Sequence, residues 1–166
     1  VAYFQWIYCP ECAGRLIQFS DGENVRPYCP KCRKHYYHNP PPVVALLAAN
    51  SEGKLLAVKR AVEPAYGKWC LVCGFMELLE TPEQAVLREL AEEAGLTGEV
   101  KRLVGVFYEE SERLGSVIVL GYEVAVDGQP KQGSDALEAK FFDIGKLPPL
   151  AFQSQREMLE IYRAGR

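Results

Sequence analysis

Residues 74 to 96 constrain this chain more than any other stretch. Gly74 leads through Glu77 and Glu80 into Arg88-Glu89-Leu90-Ala91-Glu92-Glu93-Ala94-Gly95-Leu96, a run with helical spacing. Thr81 is a good N-cap, Pro82 suits the first helical position and Gly95 is a stop, so a helix is predicted from Pro82 to Ala94. At about 100° per residue, Glu89 and Glu93 lie roughly 40° apart, with Glu92 about 60° to the other side. Val86, Leu87, Leu90, Ala91 and Ala94 fill the remaining arc and give the helix an apolar side to bury. Like charges at i, i+4 repel by about 0.2–0.5 kcal/mol, so the acidic face calls for compensation. A hard divalent cation with oxygen ligands supplies it, and Mg2+ held this way suits attack of water on a diphosphate.

Counted out, the stretch reads G-x5-E-x7-R-E-L-x-E-E-x-G-L and resembles the Nudix hydrolase signature at every fixed position. The resemblance covers most of residues 43 to 166. It implies an α/β fold with a mixed β-sheet sandwiched between helices, and a pyrophosphohydrolase that uses Mg2+ or Mn2+. It also implies Glu89 and Glu93 as metal ligands, Glu92 as a third ligand or as the base for the attacking water, and Glu138 as a further carboxylate near the metals. Arg88 is then structural, paired with Glu80 or Glu77. The chain departs from many relatives at Cys73 and Leu79, where they have glycines. A branched residue at 79 is costly if that backbone needs positive φ.

All six cysteines fall in C-x2-C pairs: Cys9 and Cys12, Cys29 and Cys32, Cys70 and Cys73. Sixteen residues separate the first pair from the second, a spacing that reads as a tetrahedral zinc site. About forty residues cannot bury enough apolar surface to fold alone, so zinc acts as their core. Four thiolates leave no open position, which makes the site structural. The alternative, a pair of disulfides, requires an oxidising compartment; the sequence shows no secretory signal or transmembrane run, and a cytoplasmic location is expected. His35 and His38 are expected at the surface, and Cys70 and Cys73 as buried apolar residues.

Asn39-Pro40-Pro41-Pro42 cannot continue a helix and marks a junction between a zinc ribbon, residues 1–38, and a Nudix domain, residues 39–166. Strands are predicted at 43–49, 54–59, 69–72, 100–107, 117–126 and 141–143, with a last helix from about Ser154 to Tyr162. With 48% apolar and 25% charged residues the composition is that of a soluble globular protein, and a net charge of −3 gives no general reason to expect nucleic-acid binding. Arg15, Arg26, Lys31, Arg33 and Lys34 make the ribbon modestly basic. Charges of this kind ordinarily serve solubility.

An N-terminal four-cysteine ribbon resembles two Nudix groups, NADH pyrophosphatases and enzymes similar to FAD and ADP-ribose pyrophosphatases. The S-Q-P-W-P-F-P-x-S motif of the first group is absent, whereas Lys59-Arg60-Ala61-Val62-Glu63-Pro64 and Leu150-Ala151-Phe152 resemble the second. The implied substrate is a small-molecule nucleotide diphosphate such as FAD or ADP-ribose. Phe152 and Tyr108, with Phe107 and Tyr66, are base-stacking candidates; Arg60 and Gly74 are candidates for the phosphate side. A homodimer is expected from the resemblance alone. The competing readings are a nucleotide sensor with a weakened catalytic loop, and a hydrolase of nucleotide-capped RNA.

Overall fold

The structure is a computed structural model that describes residues 6–20, 22–133 and 135–165. The chain divides into two compact units, residues 1–40 with 111–115, and residues 41–110 with 116–166.

The first unit is a three-stranded antiparallel sheet, β1 (Ile17–Ser20), β2 (Val25–Cys29) and β3 (Lys34–His35), in that order. Tyr28 pairs with Ile17 on one side and with His35 on the other. Each C-x2-C pair closes a tight turn. The Ala13 N–H donates to the Cys9 carbonyl and the Arg33 N–H to the Cys29 carbonyl, with Ala13 and Arg33 in the left-handed region.

The second unit is built on β4 (Pro42–Ala49), β5 (Leu55–Arg60), β6 (Trp69–Cys70), β7 (Cys73–Phe75), β8 (Thr97–Ser111), β9 (Gly115–Asp127) and β10 (Ala136–Phe142). The main path of this mixed sheet runs β10-β5-β4-β9-β8, with β6 on β5 and β7 on β4. β4 and β9 are parallel from Pro42↔Ile118 to Ala49↔Ala125, and their near-continuous burial along β4 is what a two-sided sheet requires. β4 and β5 pair only at Ala49↔Leu55 and then diverge, and β6 and β7 occupy the opening.

Helix α1 (Pro82–Ala94) has the predicted bounds. Thr81 and Gln84 form a reciprocal capping box, Pro82 is at the first turn, and Gly95 ends the helix at φ 62°. Ala85, Val86, Leu90 and Ala94 enter the core with Val44, Leu46, Val58, Val72 and Val124. Helix α2 (Gln153–Ala164) lacks a side-chain cap of its own. The Glu109 carboxylate from β8 accepts from the Gln153 and Ser154 N–H groups at 3.3 and 2.7 Å, and so places a negative charge at the positive end of the helix.

Of the predicted strand 69–72 only Trp69–Cys70 is strand, and β7 follows at Cys73. The break at Leu71 has a cause: its N–H and carbonyl are bound by the buried Gln155 side chain of α2, while the Val72 carbonyl accepts from Leu46 N–H. No helix among the described residues is long and apolar enough to cross a membrane.

Candidate active site and metal centre

The loop from Phe75 to Glu80 is tied to α1 by one side chain. Arg88 makes a two-pronged contact with Glu80, Nε to Oε2 at 3.0 Å and Nη2 to Oε1 at 2.7 Å, and also donates to the Phe75 carbonyl at 2.9 Å. The Glu77 N–H donates to Glu80 as well, so Glu77 takes part through its backbone. These donors hold the Glu80 carboxyl below its usual range, Arg88 contributing most. The predicted pairing of Arg88 is therefore with Glu80.

The same guanidinium reaches the acidic face. Nη1 lies 2.7 Å from Glu89 Oε1 and 3.1 Å from Glu92 Oε2, so each of these carboxylates has one oxygen on Arg88. Glu93 is set apart. Its Oε2 is buried without a partner, and burial, with Cys73 and Glu89 adding, pushes its carboxyl up to about 9. Glu89 is also buried and its carboxyl is raised by that burial. The Gly74 backbone lies directly against Glu89, so that a Cβ there would sit 2.1 Å from the carboxylate. A buried oxygen with no donor, beside a second buried carboxylate under a bare glycine, is a donor set suited to a hard cation.

Leu79 has φ 69° and is almost fully exposed, so its side chain gains nothing to offset the strain. Left-handed backbone costs a branched residue about 1–2 kcal/mol, of which glycine's greater unfolded-state freedom returns about 0.4–1 kcal/mol. Leu79→Gly is accordingly expected to raise stability by about 0.5–1 kcal/mol in urea unfolding, with Leu79→Ala giving no gain.

A second wall stands beside this face. The Arg60 guanidinium carbon lies 5.3 Å from the Phe152 ring centroid, with Nε donating to the Pro64 carbonyl at 2.7 Å. Arg60 is also the cation that acts on Glu93 and Cys73. Ala151 N–H bonds to the Trp69 carbonyl, which brings the segment before α2 alongside β6. Arg60, Phe152, Gly74, Glu89 and Glu93 thus come together. Tyr108 is exposed on β8, Phe107 is in the core, and Glu138 on β10 pairs with Lys140 at 3.0 Å. Glu109 and Gln155, which hold the start of α2 and the β6–β7 break, carry no sequence signal that singles them out.

In the ribbon, Cys9, Cys12, Cys29 and Cys32 bring their sulfurs within 4.8 Å of one another, the only such ligand group of three or more among the described residues. Cys9–Cys32 and Cys12–Cys29 separations are 3.8 and 3.6 Å. A tetrahedron with metal–sulfur bonds of about 2.3 Å has edges of about 3.8 Å. The four-cysteine cluster is therefore able to hold a metal ion, and all six cysteines are free thiols. Cys70 is fully buried and Cys73 half-buried, so only the first fits the apolar interior position expected of both. His35, expected at the surface, is half-buried with its ring 4.8 Å from that of Tyr28.

The NUDIX domain description matches residues 39–162. The chain belongs to the Nudix hydrolase family. It is 40% identical over 114 residues to an ADP-ribose pyrophosphatase of Methanocaldococcus jannaschii, covering 68% of each protein. It is 30% identical over 163 residues to the NAD-capped RNA hydrolase NudC of Pseudomonas aeruginosa, covering 96% of this chain and 56% of that one, so the chain spans about half the length of that relative. The crystal structure of a NUDIX hydrolase from Nitrosomonas europaea superposes with a TM-score of 0.85 at 31% identity, covering 97% of this Nudix chain and 92% of that one.

Proposed function

We propose that this chain hydrolyses the diphosphate of an adenine dinucleotide or nucleotide sugar, with ADP-ribose the leading substrate, FAD and NADH being of the same class. The observation that carries the reading is the unpartnered buried oxygen of Glu93 next to Glu89, on the helix whose glycine-entered loop is clamped by Arg88. Glu89 and Glu93 would hold Mg2+ or Mn2+, with Glu92 beside them. A divalent cation bound there supplies charge to the phosphoryl oxygens and acidifies a water. Glu92 is exposed and keeps one oxygen off Arg88, so it is placed to accept the proton of the attacking water. Arg60 meets the diphosphate or the adenine edge, and Phe152 offers a stacking face that Glu109 holds in place through the start of α2.

The likeness to the M. jannaschii ADP-ribose pyrophosphatase supports this substrate. Alignment with NudC through the ribbon favours a second reading, removal of a nucleotide cap from RNA. The ribbon cluster takes zinc, in keeping with its four-sulfur donor set. Free thiols fit a reducing cytoplasm; a homodimer rests on family resemblance alone.

A product assay with ADP-ribose, FAD, NADH, diadenosine polyphosphates and nucleoside triphosphates tests the reading. AMP and ribose 5-phosphate in equal amounts from ADP-ribose, dependent on Mg2+ or Mn2+, are expected. Thermal stabilisation by these ligands with no phosphate monoester formed would instead identify a nucleotide sensor.

A further inference from the structure

The segment that joins β9 to β10 supplies none of the groups assigned so far, yet it grips the end of the helix that carries the acidic face. The last turn of an α-helix leaves carbonyls without partners inside the helix. In α1 the Gly95 N–H covers the Ala91 carbonyl at 2.9 Å. The later ones are covered from outside: Lys131 N–H donates to the Ala94 carbonyl at 2.7 Å, and Gly133 N–H to the Glu93 carbonyl at 3.2 Å. Gly133 comes so near that a Cβ on it would lie 2.8 Å from the Glu93 Cα and 2.9 Å from the Glu93 carbonyl carbon, and closer still to the Glu92 carbonyl oxygen. All three are backbone atoms, so no flexible side-chain end can give way. The φ of Gly133 lies outside the left-handed region, and the glycine is therefore required by space and not by backbone conformation.

Two positions further on, the same segment is tied to the second wall of the site. The Asp135 carbonyl accepts from Ala61 N–H at 2.9 Å, and Ala136 opens β10 paired with Arg60. Two residues of chain span at most about 7 Å, so a short strap limits how far the Glu92–Glu93 turn can stand from the Arg60 end of β5. Glu93 carries the buried oxygen without a partner, and Arg60 carries the cation stacked on Phe152. A Cβ at position 133 must push the last turn of α1 or drive the strap off it. In either case Glu93 loses the backbone bond that fixes its place, whereas the ladder between β5 and β10 and the start of α2, held by Glu109, keep theirs. We propose that Gly133 is a positioning residue of the hydrolase, setting the last turn of α1 against the Arg60 side through residues 131–136. The proposal rests on Glu89 and Glu93 being the metal ligands.

The test is Gly133→Ala in the full zinc-loaded chain. Mn2+ binding, titrated by electron paramagnetic resonance, is expected to weaken at least about fivefold, and kcat for ADP-ribose at saturating Mn2+ to fall at least about tenfold. Affinity for AMP measured without metal should be unchanged, as should every reading of Gln132→Ala, an exposed neighbour on the same segment. Because stabilisation by a ligand follows its binding, Mn2+ should raise the melting temperature of Gly133→Ala less than that of wild type. A merely structural glycine would give the same melting deficit with Mn2+ and with chelator. A second measurement needs no variant: coupling is reciprocal, so Mg2+ should slow hydrogen exchange of the wild-type Lys131 and Gly133 amides at least about threefold, with the turn amide of Gly53 unchanged. Should Gly133→Ala fail to fold, exchange at 131 and 133 that ignores Mg2+ overturns the proposal. Wild-type Mn2+ affinity in Gly133→Ala, where Glu93→Gln has lost it, overturns the proposal alone. Equal Mn2+ binding by wild type and Glu93→Gln overturns the metal assignment, and the proposal with it.

Discussion

Glu93→Gln is expected to lower the rate of ADP-ribose hydrolysis by about 10²–10³-fold under saturating Mg2+. The substitution keeps the shape of the side chain but removes the carboxylate oxygen that is buried without a partner and available to a cation. The same change is expected to stabilise the protein in the presence of a chelator. Burial lifts the Glu93 carboxyl from an ordinary value of 4.5 to about 9, so the folded protein holds a proton that the unfolded chain releases. That contribution to stability is complete below about pH 4.5 and is lost as pH rises towards 9. At pH 7, 2.5 units above the ordinary value, the deficit is on the order of 3 kcal/mol, part of which the glutamine recovers. Chelated Glu93→Gln should therefore melt a few degrees above wild type at pH 7–8 and level with it near pH 4.5. A mutant that is both less active and more stable has lost a group held for function. A merely structural glutamate would give the opposite stability change.

Removal of the ribbon metal is the second large effect. Structural zinc contributes roughly 10–16 kcal/mol of apparent binding energy to modules too small to fold around apolar surface. Here the buried part of the ribbon centres on Cys9 and Cys29, while Ile7, Tyr8, Ile17, Phe19 and Val25 are exposed. Elemental analysis should find one zinc per chain, released by Cys29→Ser or by a strong chelator. Release should open residues 6–38 to protease, with cleavage sites mapped by mass spectrometry. A ribbon that stays protected with no metal bound would rule out this role.

Local signals located α1 to the residue because Thr81, Pro82 and Gly95 each act within one turn. Strand ends were less legible. β8 runs from Thr97 and not from Val100, and β10 begins at Ala136, five residues before the predicted Phe141. Ladder bonds to β5 carry β10 through polar residues that hydrophobic patterning passes over. At the site, the acidic face follows from helical spacing, while the pairing of Arg88 with Glu80 or Glu77 follows from the resemblance, and Glu80 is the partner it meets. The extension of Arg88 to Glu89 and Glu92, the stacking of Arg60 on Phe152, and the grip of Gln155 on Leu71 join residues from separate elements and leave no local trace. Glu138 on β10, a carboxylate named by resemblance, pairs with Lys140 at 3.0 Å, a contact between neighbours on one strand face. The cost of a branched residue at position 79 could be stated from sequence, and the Leu79 backbone adopts φ 69° all the same, held by the Arg88–Glu80 clamp at the end of the loop.

The account depends on α1 carboxylates that leave oxygens available for a cation. Electron paramagnetic resonance of Mn2+ titrated into the zinc-loaded protein at pH 7.5 measures this without reference to turnover. Saturable Mn2+ binding in the wild type, weakened at least about tenfold in Glu93→Gln and in Glu89→Gln and unchanged in the exposed control Glu112→Gln, is the predicted result. Undiminished Mn2+ binding in both helix variants would contradict it.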